Sequence, residues 1–96
     1  MTRVVLWTRR ARRRLDEIGF RIAEDNPDAA ARVVAAIAHG IEQLRDAPAR
    51  GRPGRSRDTR ELVIVGTPYI VAYRVHTNDI EILTIQHGAQ LWPDTL

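Results

Sequence analysis

Histidine, carboxylate and arginine are the side chains of this 96-residue sequence that could move a proton or hold an anion. General acid–base chemistry needs groups that can take and give a proton, and an anionic substrate needs cations placed to hold it. The candidate acids and bases are His76, His87, Glu61 and Glu81, and the candidate phosphate clamps are Arg60, Arg74 and the arginines at 50, 52, 55 and 57. His87 is the candidate general base, since an unperturbed imidazole titrates near pH ~6.5; its alternative is a hydrogen-bonded structural histidine. His39 is expected on a helix surface, and His76 at a strand end without a partner. No two histidines share a metal-ligand spacing, so no metal site or other cofactor is expected. Cysteine is absent, which excludes disulfides, zinc–thiolate sites and thiol nucleophiles.

All fifteen basic residues are arginine. Its planar fork binds carboxylate or phosphate bidentately and stays charged at any working pH. A genome biased against lysine codons would give the same choice, so position is the better guide. Residues 1–60 hold fourteen arginines against eight acids, and residues 61–96 hold one against four. The positive half points to an acidic partner or nucleic acid. Five aromatic residues leave little for a base-stacking platform.

These groups must be positioned by one small domain spanning residues 1–96. No apolar run approaches the roughly 20 residues that cross a bilayer, and no signal peptide is evident. A cytoplasmic address with no membrane partner is therefore expected. Residues 4–7 are β-branched or bulky and read as a first strand. Thr8 can cap a helix whose apolar face is Ala11, Leu15, Ile18 and Ile22. Arg9, Arg10, Arg12, Arg13 and Arg14 crowd its first turns, against the helix dipole. That crowding is either a functional surface or a solvated face whose small cost is tolerated.

Asn26 and Pro27 suit the cap and first position of a second helix, with Ala30, Val33, Ile37, Ile41 and Leu44 as its stripe and an end near Asp46. So short a break predicts an antiparallel helical hairpin. Residues 47–59 carry two prolines, two glycines and four arginines, and read as an irregular, basic loop. Residues 60–65, 69–76 and 80–86 read as an antiparallel meander, joined at Gly66-Thr67-Pro68 and Thr77-Asn78-Asp79. Alternation puts Tyr69, Val71, Tyr73 and Val75 on one face of the middle strand, and Ile70, Ala72, Arg74 and His76 on the other. The hairpin covers only one face, and the second is expected to await a partner. The fold class is thus α+β: a short N-terminal strand and an antiparallel helical hairpin packed on a C-terminal antiparallel meander.

In this order the chain resembles the RelE/ParE superfamily of bacterial toxins. The matching strings are WTRRARRRLDEI at 7–18, NPDAAARV at 26–33, LRDAPARGRPGR at 44–55, TRELVI at 59–64, PYIVAYRV at 68–75 and ILTIQHGAQLWP at 82–93. They span almost the whole chain, and their order and spacing carry the match. The resemblance implies the toxin of a type II toxin–antitoxin pair, held in a hetero-oligomer by a cognate antitoxin whose C-terminal segment wraps it.

The superfamily divides by target. RelE-like members cleave mRNA in the ribosome, and ParE-like members bind DNA gyrase and trap it on cleaved DNA without being nucleases. The ribonucleases carry an arginine early in the middle strand, where this chain has Ile70, and a basic residue just beyond the last strand, where it has Gly88-Ala89-Gln90. The resemblance is closer to the ParE branch, so a gyrase inhibitor is expected. The alternative is a ribosome-dependent endonuclease using His87, Arg60 and Arg74. A plain nucleic-acid-binding module on the basic loop and first helix ranks third. Residues expected to meet antitoxin or target are Arg9, Arg10, Arg13, Arg50, Arg52, Arg55, Arg57, Arg74 and Trp92. Trp7 and Trp92 can equally be anchors of the core or of a terminus.

Overall fold

The computed structural model describes residues 2–96. Strand β1 (Val4–Trp7) leads into helix α1 (Arg9–Asp25), then helix α2 (Pro27–Gln43). A 3-10 turn at Pro48–Arg50 is followed by β2 (Arg52–Pro53), β3 (Arg60–Val63), β4 (Tyr69–Val75) and β5 (Asp79–His87). The helix boundaries follow from their caps. Thr8 Oγ1 accepts from the Ala11 amide at 3.1 Å while donating to the Ile82 carbonyl at 2.7 Å, which ties the start of α1 to the sheet. Asn26 Oδ1 accepts from the Ala29 amide at 3.0 Å, with Pro27 in the first helical position where its missing N–H costs nothing.

The five strands form one sheet in the order β1-β5-β4-β3-β2. β5, β4, β3 and β2 run antiparallel in sequence, and β1 joins the far edge parallel to β5, Val4 opposite Asp79 and Trp7 opposite Ile82. β1 and β5 therefore join the two ends of the chain. The helical hairpin lies on one face. Ala11, Ile18, Ile37, Ile41 and Leu44 meet Val71, Tyr73, Ile80, Ile82 and Ile85 in the main core.

Two sequence expectations need correction, and one local feature was not anticipated. The 47–59 segment is not wholly irregular: it contains the 3-10 turn, and Arg52–Pro53 pairs with Glu61 and Arg60. Proline is tolerated there because β2 is an edge strand. The register of β4 and β5 slips between Ala72 and Tyr73, so that Ala72 faces Thr84 while Tyr73 faces Ile82. This bulge leaves Leu83 as the extra residue, a feature that strict alternation cannot express. Most consequentially, the second face of the sheet is not bare. Residues 88–96 fold back across it, and Trp92 and Leu96 pack on Ile70, Ala72 and Leu83 in a second, smaller core. The chain's own tail satisfies the apolar residues that were expected to await a partner.

Candidate functional site

The basic segment after α2 is organised by two buried polar groups. The Tyr73 hydroxyl donates to the Pro48 carbonyl at 2.7 Å and accepts from the Gly51 amide at 2.8 Å. Burial pushes its pKa up, outweighing the Gly51 bond and the nearby Arg60 charge. It works as a fixed latch. The Glu61 carboxylate, buried on the opposite face, accepts from the Arg55 amide at 2.9 Å and from the Arg55 guanidinium at 3.0 and 3.3 Å, with Arg52 at 3.5 Å. Burial alone would raise its pKa; the bonds and charge of Arg55, joined by Arg52, outweigh that and hold it below the usual carboxylate value. Glu61 is thus a committed anion, unsuited to passing a proton at neutral pH.

The predicted arginines divide by employment. The Arg55 guanidinium lies 3.7 Å over the Trp92 ring, so that Glu61, Arg55 and Trp92 form a stack that clamps the tail. Trp92 is buried and serves as a terminus anchor. Arg10 donates to the Thr95 carbonyl at 2.9 Å, a second tie on the tail. Arg50 bonds Gln43 at 2.7 Å, and Arg60 bonds the Gly51 carbonyl at 2.7 Å. Arg9, Arg13 and Arg57 are exposed. Arg14, named from sequence only among the arginines crowding the first turns of α1, donates to the Ile85 carbonyl at 2.9 Å, to Gln86 at 3.0 Å and to Gln90 at 3.0 Å, and pairs with Glu17 at 3.0 Å. Its place on α1 beside the apolar stripe was visible; the strand it reaches was not.

The acid–base and cationic candidates fall into two groups. His87 lies opposite Tyr69 at one end of the β4–β5 pair, and the two rings meet edge to face at 5.6 Å. Its Nδ1 accepts from the Ala89 amide at 3.0 Å, so a neutral His87 carries its proton on Nε2. It lines a cavity of 320 Å³ with Arg14, Tyr69 and Gln90. Arg74 lies opposite Glu81, and Arg60 opposite Tyr73. Tyr69 and Arg74 stand five positions apart on β4, a distance of roughly 17 Å at strand rise. Alternation along β4 also puts His87, beside Tyr69, on one face of the sheet and Arg74 on the other, so the two do not converge on one phosphate. His76 does have a partner, contrary to expectation: its Nε2 lies 3.1 Å from Glu81 Oε1, the oxygen that Arg74 approaches at 3.7 Å. His39 is exposed on α2 beside Gln43.

Two further concavities bear on function. One, of 650 Å³, lies between the β2–β3 turn and the end of β4, and is lined by Arg57, Arg60, Arg74 and His76. The other, of 360 Å³, runs along the outer side of the helical hairpin between Leu15, Gly19, Ala23, Ala30 and Val34, with Phe20 at its rim 73% exposed. No helix among the described residues is long and apolar enough to cross a membrane.

A helical hairpin on a five-stranded mixed sheet, with arginines along its rim, is the α+β architecture expected of the ParE/RelE superfamily. A family model described as ParE toxin of the type II toxin–antitoxin system parDE matches residues 5–92, and the chain belongs to that family. It is 55% identical over 92 residues to the protein named "Putative toxin Y4kP" of Sinorhizobium fredii, covering 96% of this chain and 95% of that one. It is 32% identical over 92 residues to Toxin RelE1 of Caulobacter vibrioides, covering 94% and 98%. Among solved structures it is similar to a chain of the chromosomal ParDE toxin–antitoxin system from P. aeruginosa, with TM-score 0.82, 27% identity, and coverage of 90% of this chain and 96% of that one. A chain of the RelBE2 toxin–antitoxin complex from Mycobacterium tuberculosis gives TM-score 0.68 and 26% identity over 91% and 99%.

Proposed function

We propose that this toxin acts by binding, as an inhibitor of DNA gyrase, and that a cognate antitoxin neutralises it in a hetero-oligomer. The observation that carries the first part is the separation of His87 from Arg74 along β4, so that the predicted set of His87, Arg60 and Arg74 does not come together. The whole-length match to a ParE family model agrees with it. In the cell, induction without antitoxin is expected to give double-strand breaks and an SOS response while translation at first continues. With purified components, toxin added to gyrase, ATP and supercoiled plasmid is expected to accumulate linear DNA after detergent and protease. Immediate loss of translation, with mRNA cut at ribosomal A-site positions and intact chromosomes, would instead establish a ribosome-dependent endonuclease.

The antitoxin's seat is the groove on the helical hairpin, since the sheet's second face is already covered by residues 88–96. Its alanines and Gly19 let another helix approach closely, and the exposed Phe20 offers an apolar anchor. The fitting occupant is an amphipathic helix that folds as it binds, with acids flanking its apolar stripe to meet Arg9, Arg13 and Arg21.

A further inference from the structure

We propose that the cleft between the β2–β3 turn and the end of β4 binds the phosphodiester backbone of a nucleic-acid strand. The assignment goes beyond the gyrase reading and is tested without gyrase.

The cleft brings three guanidinium groups, those of Arg57, Arg60 and Arg74, around one concavity of 650 Å³. That lies within the range of about 300–1,000 Å³ typical of ligand sites. The tight turn that makes its outer wall closes with the Gly54 amide donating to the Thr59 carbonyl at 2.8 Å and the Thr59 amide to the Ser56 carbonyl at 3.2 Å. Asp58 is held in the left-handed region at φ 59°, the one non-glycine residue there among the described residues. Arg57, beside it at the tip, is 96% exposed and sits 4.0 Å from the Asp58 carboxylate, at the limit of an ion pair. It has no packing role to explain it. Arg60 uses one nitrogen on the loop carbonyls, which leaves its other donors for a ligand. On the inner wall, Glu81 Oε1 is shared between His76 at 3.1 Å and Arg74 at 3.7 Å. An anion at Arg74 therefore displaces only a long contact and leaves Glu81 with His76.

The lining decides the class of anion. Pro53 and Val75 are the apolar residues of the wall. An acidic peptide would find charge there but few anchors for apolar side chains, whereas a sugar–phosphate backbone needs chiefly cations and hydrogen-bond donors. The cleft is open, so a strand can run through it. The other loop arginines do not compete, because Arg50 is held by Gln43 and Arg52 and Arg55 by Glu61.

The test is fluorescence anisotropy of the full chain with a labelled 12-nucleotide DNA strand, the RNA of the same sequence, and the DNA duplex, in 50 and 200 mM NaCl. Three phosphate contacts on a single strand predict a salt slope near −2, a fall of about 20-fold in affinity between those salts. The Arg57→Gln/Arg74→Gln double variant is expected to weaken binding at least tenfold at low salt and to bring the slope to about −0.7. Arg57→Gln alone, at a position too exposed to affect folding, is expected to weaken it at least threefold with an unchanged melting temperature. Arg32→Gln, on the helical hairpin, controls for net charge and is expected to bind within twofold of the parent. Equal binding of DNA and RNA strands supports recognition of the shared backbone, and a tenfold preference for one names the strand the cleft takes. The proposal is overturned if the double variant binds like the parent, if Arg32→Gln loses as much as Arg57→Gln, or if a polyglutamate peptide displaces the strand more effectively than unlabelled DNA.

Discussion

Glu61 decides how the molecule should respond to acid. Its pKa in the folded chain lies below the ordinary 4.5, so its contribution to stability is complete above that value and is lost as pH falls through the lower folded one. Thermal melts between pH 7 and 3 should show a declining acid limb, and Glu61→Gln should flatten it while costing about 1–3 kcal/mol at pH 7 through weakened bonds to Arg55. A second expectation concerns Tyr73. Replacing it with Phe removes one donor and one acceptor from a buried site and leaves the Gly51 amide and Pro48 carbonyl unpaired, for a loss of about 1–3 kcal/mol in chemical denaturation. The Gly51 amide should then exchange with solvent faster than in the parent. At this scale the sequence told half the story. It placed Tyr73 among core residues by alternation, and a buried tyrosine hydroxyl requires a partner. It listed Glu61 as a proton-transfer candidate, because no local pattern reveals that Arg55 reaches back across a turn to neutralise it.

At the scale of elements, the caps and stripes wrote the helices into the sequence, while packing that crosses the chain was hidden. Thr8 and Asn26 mark their helices because a side-chain oxygen must serve amides that lack a helical partner. α2 ends at Gln43, with a turn through Asp46, close to the expected stop. The β5 bulge and the return of residues 88–96 left no such mark, since neither has a periodicity of its own. The tail is also the element most open to test. Trp92→Ala should remove the ring from beneath Arg55 and open the smaller core, with a loss of about 3 kcal/mol. Hydrogen exchange should then rise at Ala72 and Leu83 and stay unchanged at Ile37 and Ile41, which belong to the main core. Uniform acceleration across both cores would show that the tail is not a separate layer.

Considered as a whole, the molecule places the hairpin groove with Phe20 and the cleft with Arg57 and Arg74 on different elements. That division predicts separable phenotypes. Phe20→Asp should weaken antitoxin binding by at least tenfold, measured by calorimetry, and should leave the toxicity of the free chain intact. Arg57→Gln should leave antitoxin affinity within twofold. The charge asymmetry between residues 1–60 and 61–96 was legible in the sequence, as was the family's architecture. Which arginines are engaged inside the fold was not, because an exposed and a salt-bridged guanidinium are spelled alike.

The parallel pairing of Val4–Trp7 with Asp79–His87 has a bearing on how the chain is made. A ribosome makes β1 before β5, the neighbour that completes its hydrogen bonds, with both helices and three strands synthesised in between. The newborn polypeptide must hold β1 unmatched while residues 8–78 are made. A product that stops short of residue 79 lacks β5, so β1 has no strand to pair with and the hairpin loses part of the sheet it packs on. Such a product should be cleared by proteases rather than poison the cell that made it.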